Sequence, residues 1–359
     1  MLAILPLVAF LISLAIRQSL ARPRRLPDGS AGAQKITIII PARDEEKNIA
    51  KLLTSLRKQS VQALEIIVID DQSSDETAAI ARDLGAKVIP GKEMPAGWKG
   101  KTWACHQGAG AASGDWLLFL DADLNLLPGA LAKLAALTGH KAVHSVCPWH
   151  RIEKPFEQLS AYFNAITLAG VDAFATTPSS QATLFGQVLL IHRDHYRQAG
   201  GHHAVRNEIL ENFQLANLLQ KSGIGIQHYL GQGVIEMRMF PEGMSQLIRS
   251  WKKGFLAGAA QAPRRALLNT SLWLTGGMIL TGCLAASPFL SAEFAWSTVA
   301  AFLAYAVLTF HTFRLAGNFS ILTALFFPVP LLFYQTLFFK SLLDQKTGRK
   351  QSWKGRTLN

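Results

Sequence analysis

Cysteine and charge are what this sequence has least of. Its 359 residues hold three cysteines, Cys105, Cys147 and Cys283, far apart and without a CxxC pair. That excludes a disulfide framework and a cysteine zinc site, and it suits a reducing compartment. Only 17% of residues are charged while 49% are hydrophobic, the opposite of a disordered or fibrous chain. Acidic residues are the scarcer sign: 24 Asp and Glu against 36 Lys and Arg leave a net +12. A basic balance points to nucleic acid or an anionic membrane face as neighbour. The basic residues sit beside apolar segments and in the tail, which fits anionic lipid better than a duplex, so no nucleic acid is expected. GxGxxG and GxxxxGK[ST] are missing, which removes plain dinucleotide and P-loop readings. His192, His195, His202 and His203 are close in sequence but lack the HExxH arrangement of a zinc site. No internal repeat or low-complexity run is present.

What the chain does have is long apolar runs at both ends. Leu2 to Ile16 carries no charge and is followed by Arg17, Arg22, Arg24 and Arg25. A cleavable signal puts its positive charge before the apolar run, so residues 1–20 read as an uncleaved membrane anchor, with residue 25 onward in the cytoplasm by the positive-inside rule. Ala266–Leu290 and Phe294–Phe313 are each close to the ~20 residues that cross a bilayer, and Phe319–Phe339 is a third candidate that contains Pro328 and Pro330. Four full spans would place the tail outside, yet Lys340–Asn359 holds six Lys/Arg and one Asp and belongs in the cytoplasm. Phe319–Phe339 is therefore expected to be re-entrant or interfacial. A reporter fused after Asn359 should read cytoplasmic, and a periplasmic readout refutes this topology.

Between these ends, residues 34–240 alternate short β-branched runs with helical stretches, the pattern of an α/β domain with a mostly parallel sheet. The strands expected are Ile36–Ile40, Glu65–Ile69, Ala86–Ile89, Trp116–Leu120, Leu184–Ile191 and Val234–Met239. Glu45–Gln59 shows a helical stripe at Ile49, Leu52, Leu53 and Leu56, and Ser74 or Asp75 should cap the helix Glu76–Leu84. Ligands sit beyond the carboxyl ends of such strands, where Asp70-Asp71 and Asp121-Ala-Asp123 fall. A hard cation, Mg²⁺ or Mn²⁺, takes one or two carboxylates plus substrate phosphates, so Asp121 and Asp123 form a candidate metal–diphosphate clamp. Taken alone a DxD is a weak signal, because Asp favours turns and a strand-end turn also accounts for it.

Three ordered landmarks, Ile38-Ile-Ile-Pro-Ala-Arg-Asp-Glu-Glu46, Val68-Ile-Asp-Asp-Gln-Ser-Ser-Asp75 and Phe119-Leu-Asp-Ala-Asp123, resemble those of family-two inverting glycosyltransferases with a GT-A fold. The resemblance extends through Gly97-Trp-Lys-Gly-Lys-Thr-Trp-Ala-Cys105, Ser145-Val-Cys-Pro-Trp-His150, Gly200-Gly-His202, Phe240-Pro-Glu-Gly243 and Trp353-Lys-Gly-Arg356. Within that family these stretches look most like the membrane diaponeurosporenoate glycosyltransferases, which glucosylate a C30 carotenoid acid. The resemblance implies that Pro41, Arg43 and Glu45 line the nucleotide pocket and that Asp71 meets the uracil of a UDP-sugar. It places Asp121 by the ribose and diphosphate and Asp123 on the metal. Lys101, beside a glycine in a loop, either reaches the same diphosphate as a point charge or is a solvated surface lysine.

Inversion also needs a group that takes the acceptor's proton. Many family members carry it on the second residue of a Glu-Asp pair, where this chain has Glu211-Asn212. Asparagine cannot act as a carboxylate base, so the role falls to Glu211, with Glu208 one helical turn earlier as the reserve. An acceptor that is itself a carboxylic acid is already ionised near neutral pH and needs little base help.

Gln246-Leu-Ile-Arg249-Ser-Trp251 resembles the family's QxxRW element with one extra residue, so Gln246, Arg249 and Trp251 are candidates for closing the site over the acceptor. The same stretch reads as an amphipathic interfacial helix over 241–262, with Leu247, Ile248, Trp251 and Phe255 on its buried stripe, ahead of membrane segments in 266–339 and a basic tail, 340–359. Trp149 and His150 either line an acceptor groove or pack in the core. The whole reads as a multi-pass protein of the cytoplasmic membrane whose cytoplasmic domain moves a hexose from a UDP-sugar to a lipid, a carotenoid acid above all. Hopanoid, diacylglycerol and polyprenyl phosphate acceptors, a processive polysaccharide synthase and a non-catalytic scaffold are the other readings.

Overall fold

Strands with both faces covered read as unbroken apolar runs, and Ile36, Ile38, Ile39 and Ile40 are all buried. In the computed structural model, which describes residues 2–29, 35–139, 141–177, 183–208, 211–251, 262–346, 352–353 and 356–357, they form β1 (Ile36–Ala42). It is followed by β2 (Glu65–Asp70), β3 (Lys87–Pro90), β4 (Trp116–Leu120) and β5 (Leu124–Leu126). Next come β6 (Ala142–Cys147), β7 (Trp149–His150), β8 (Val188–His192), β9 (Gly225–Leu230) and β10 (Ile235–Met237). A seven-stranded sheet runs β3-β2-β1-β4-β8-β6-β9. Its first four strands are parallel, with Ile38 opposite Ile66 and Leu118, and β8 enters antiparallel, Leu118 facing Leu190. A second sheet, β5-β10-β7, lies outside it in the order of pairing. The chain is thus the α/β, mostly parallel domain expected, with apolar helices toward both ends.

Pro23–His150 and Ser180–Arg238 form one compact unit around these sheets; Met1–Arg22, Arg151–Ser179 and Met239–Asn359 form the other. In this division the stretch 34–240, expected as one domain, is interrupted at 151–179. The helix Ala161–Gly170 packs with the apolar helices: Tyr162 lies 4.8 Å from the Trp273 ring and 3.1 Å, hydroxyl to hydroxyl, from Tyr305. No charged residue occurs between Glu157 and Asp172, and a helix apolar all round is a buried one.

Among the described residues of this apolar unit three helices are long and apolar enough to cross a membrane: Leu2–Ser19, Arg264–Phe289 and Ala292–Ala316. Gly276 lets the first two approach closely, since a Cβ there would overlap Ser13 and the Ala9 carbonyl. Small residues allow the same approach in membrane helix pairs generally. Apart from Leu64, every large hydrophobic side chain exposed among the described residues belongs to this unit, the distribution of a lipid-facing surface. The segment expected to be broken by proline is broken earlier. The chain leaves the helix at Gly317, forms the short helix Ile321–Leu325, and restarts at Pro328 in the helix Pro328–Lys346. Proline is accepted in a first helical turn because its missing N–H is not needed there.

The expected helices appear as Glu46–Arg57, with Ile49, Leu52, Leu53 and Leu56 buried, and Thr77–Asp83. The N-cap of the second is Glu76, not Ser74 or Asp75, although Asp75 Oδ1 accepts from Thr77 N at 3.0 Å. Of the expected interfacial helix 241–262, residues 244–251 are helical and 252–261, with Phe255, lie outside the described residues.

Candidate active site

The loops that follow β1 and β2 are stitched to each other. Asp44 N donates to Ser73 Oγ at 3.0 Å, and Ser74 N donates to Asp44 Oδ1 at 2.8 Å. Asp44 (φ 52°) and Gln72 (φ 58°) hold left-handed conformations that non-glycine residues adopt at a cost of order 1–3 kcal/mol where surroundings fix them. The result sets Arg43 on Asp71. Arg43 Nη1 donates to the Asp71 carbonyl at 3.0 Å and lies 3.7 Å from its Oδ2. Asp71 is buried. Gly91 lets the chain after β3 pass this corner, because a Cβ would stand 2.9 Å from the Asp70 carbonyl. Pro41 lies in β1, opposite Ile69.

Beyond β4 the chain turns through Asp121, Ala122 and Asp123 into β5. Lys101 Nζ meets Asp121 Oδ1 at 2.5 Å and donates to the Gly186 carbonyl at 3.2 Å; the two charged side chains are 33% and 26% exposed. Glu211 opens the helix Glu211–Lys221, and Asn212 Nδ2 donates to its Oε1 at 3.2 Å. Burial raises Asp123 to about 7, and the charges of Asp121 and Glu45 add to it. Burial also raises Asp121, against the pull of Lys101, and raises Glu211, again against Lys101. Burial works to lower the Lys101 pKa, but Asp121 and Glu211 outweigh it and carry the ammonium above the ordinary lysine value. Three carboxylates, Asp121, Asp123 and Glu211, therefore feel one lysine, and Glu45 adds its charge to Asp121 and Asp123.

That surplus of negative charge fits a cation. Among the described residues no group of three or more His, Cys, Asp or Glu gathers to hold a metal by itself, so a divalent ion here would take Asp123 and Asp121 and complete its shell with water or substrate phosphate, as Mg²⁺ commonly does. Cys105 is no nucleophile, its thiol pushed up to about 12 by burial.

The sequence matches the family described as glycosyl transferase family 2 over residues 37–173 and glycosyl transferase family group 2 over residues 116–337. It is 33% identical over 334 residues to the 4,4'-diaponeurosporenoate glycosyltransferase of Staphylococcus haemolyticus (strain JCSC1435), covering 91% of this chain and 89% of that protein. The chain belongs to glycosyltransferase family 2. The enzyme of the same name from Staphylococcus aureus (strain MRSA252) is 33% identical over 330 residues, 89% of this chain and 87% of the relative. A mannosyltransferase from Pyrobaculum calidifontis, solved with GDP-mannose and Mn²⁺, superposes with a TM-score of 0.52 at 18% identity over 88% of this chain and 96% of its own, which shows the shared GT-A fold.

For this family 2 glycosyltransferase, the structure brings Glu45, Lys101, Asp121, Asp123 and Glu211 together and pairs Arg43 with Asp71. Two expectations change. Lys101 is not in a loop; it stands in the first turn of the helix Gly100–Ala111, whose Gly100, Gly108 and Gly110 disguise it. Glu208 does not sit a helical turn before Glu211, because the helix starts at Glu211 and Glu208 is an exposed residue ahead of it; Ile209 and Leu210 lie outside the described residues. Gln246, Arg249 and Trp251 stand in the apolar unit. Trp251 stacks on Phe163 at 4.6 Å, Gln246 Oε1 accepts from Glu242 N at 3.0 Å, and Arg249 is exposed. His150 is buried on the edge strand β7, a core position.

Sequence reasoning missed the turn Gly186-Gln187. Its carbonyls receive Lys101 Nζ and, at 3.0 Å, Asp121 N, and a Cβ on Gly186 would overlap the Asn212 amide. A Gly-Gln step inside the apolar run 184–191 is the signal for it. Also missed was a buried pair behind β4. Tyr196 and His202 meet at 2.9 Å through the hydroxyl and Nδ1, and both rings pack on Phe119 at 5.6 and 5.0 Å.

Burial pushes His202 down to about 3, with the Lys101 charge adding, and His150 down to about 4. Both stay neutral in the folded protein below the ordinary value of 6.5, whereas the unfolded chain takes up those protons. The stability they contribute is complete above pH 6.5 and is lost as pH falls toward their folded values, by about 1.4 kcal/mol per pH unit for each. The raised Asp121, Asp123 and Glu211 carboxyls contribute in the opposite sense as pH falls, so the test is a difference between two proteins: the melting-temperature gap between wild type and His202→Asn should narrow from about pH 7 to about pH 5. A gap that does not change with pH contradicts the assignment.

Proposed function

We propose that this enzyme transfers a hexose, glucose first among candidates, from a UDP-sugar to the carboxylate of a C30 carotenoid acid, with inversion, at the cytoplasmic face of the membrane. The observation that carries the reading is the cluster of Asp121, Asp123 and Glu211 around Lys101 near the carboxyl ends of parallel strands, in a chain one-third identical to diaponeurosporenoate glycosyltransferases along nearly its whole length.

In this reading Arg43 fixes Asp71 for the base of the nucleotide, and Pro41 and Glu45 form the adjoining wall. Asp123, with Asp121, would hold Mg²⁺ or Mn²⁺, which when bound offsets the negative charge that develops on the departing diphosphate. Lys101 sets Asp121 in place and offers its ammonium to the same phosphates. Glu211, half-buried and raised in pKa, is shifted toward the neutral-pH range where a general base works best. It receives the acceptor's proton when there is one to take. Gln246, Arg249 and Trp251 remain the candidates for the acceptor. A greasy acceptor stays in the bilayer, so spans in the same chain let it arrive by diffusion in two dimensions. Three spans, with the N-terminus outside, also bring the basic tail to the side of the catalytic unit, in agreement with positive charge inside.

The product tests the acceptor. Sugar joined to a carboxylate is an ester and is released by mild alkali, whereas a glycoside on a lipid hydroxyl survives it. Membranes given UDP-glucose and a C30 carotenoid acid should yield an alkali-labile glycolipid. An alkali-stable product moves the acceptor to a hydroxyl lipid, and a polymer makes the enzyme a processive synthase.

A further inference from the structure

The cavity of about 470 Å³ between the helix Glu46–Arg57 and β5 lies within the catalytic unit, on residues that the sugar transfer does not use. Its volume falls in the roughly 300–1,000 Å³ range of small-molecule sites. The walls are fastened. Leu126 N donates to Ser55 Oγ at 3.1 Å, Gln59 Nε2 donates to the Leu127 carbonyl at 3.1 Å, and Leu131 N donates to Gln59 Oε1 at 3.1 Å.

On this frame four polar side chains line the space and make no hydrogen bond or ion pair among the described residues: Lys51, Thr54, Lys58 and Asn125. Lys51, Thr54 and Lys58 follow at helical spacings of three and four, which places them on one face of the helix. They supply two ammonium groups, a hydroxyl and an amide, and no carboxylate lines the cavity. Lys58 at the helix C-cap has a second use in offsetting the helix dipole. Lys51, two turns earlier, has no such use. Donors of this kind around a shared space match an oxyanion, which ammonium groups bind as point charges.

We infer that this cavity is a binding site for a phosphate-bearing ligand, distinct from the donor site. Its source is either a soluble phosphoester or the headgroup of an anionic phospholipid.

Full-length enzyme in phosphatidylcholine nanodiscs is treated with an amine-reactive label, and modification of Lys51 and Lys58, both exposed on the cavity's rim, is read by peptide mass spectrometry against Lys47 and Lys221, which are exposed but do not line the cavity. One arm adds inorganic phosphate, with chloride at equal ionic strength as its control. The other omits phosphate and replaces part of the lipid with phosphatidylglycerol. Slower labelling of both residues in the phosphate arm assigns a soluble ligand; in the phosphatidylglycerol arm, a headgroup; in both, the chemistry they share. Thr54→Val keeps both lysines and should raise the phosphate or lipid content needed for half-protection by about tenfold, the loss of one hydrogen bond to a charged group. Equal labelling in all arms, protection that chloride reproduces, or an unchanged midpoint in Thr54→Val overturns the site.

Discussion

Asp123→Asn lowers sugar transfer by about three orders of magnitude, the scale on which single transition-state charge contacts act, while the protein stays folded. Asp123 is pushed up to about 7 by burial and then by Asp121 and Glu45. Its partner Asp121 is already engaged by Lys101 at 2.5 Å, so Asp123 is the carboxylate with charge left to give a cation. Replacing it with asparagine removes repulsion from the site and no salt bridge, so melting of the metal-free variant should match or exceed wild type. Retention of Mn²⁺ in the presence of UDP gives a readout independent of turnover: wild type should hold the ion and the variant should not. Wild-type transfer by Asp123→Asn removes Asp123 from the mechanism.

Glu211→Gln is the second large effect, and its size depends on the acceptor. The substitution keeps the shape of the side chain and leaves the Lys101–Asp121 contact in place, so the Michaelis constant for donor should not change while kcat falls. Loss of a general base typically costs 10²–10⁴-fold. A carboxylic acid reaches the site already ionised near neutral pH, so with a carotenoid acid the expected loss is at the low end, about a hundredfold. With a hydroxyl acceptor, whose proton must be removed, it should approach the high end. A rise in donor Michaelis constant with kcat unchanged would make Glu211 a binding residue.

The strand ends that carry the candidate donor residues were legible because their strands are buried and parallel. β1, β2 and β4 appear as apolar runs, and Arg43, Asp71, Asp121 and Asp123 follow at their carboxyl ends. Lys101 was visible by type but not by setting. Its helix carries Gly108, where a Cβ would run into Ile39, so close packing on β1 demands the glycine that local propensity counts against a helix. The Gly186 contact with Asn212 joins residues 26 positions apart in a chain that gives no periodic sign of it. For the same reason the assignment of 151–179 to the apolar unit was hidden: Tyr162, Trp273 and Tyr305 look like ordinary aromatics until the fold stacks them.

One measurement bears on all of this. Membranes containing the enzyme are incubated with radiolabelled UDP-glucose, with Mn²⁺ or Mg²⁺ or with chelator, and label in an organic extract is counted with and without added C30 carotenoid acid. The account predicts extractable label that requires both the divalent ion and the carotenoid acid and that mild alkali releases. Label that forms equally in chelator, or equally without the acid, would contradict it.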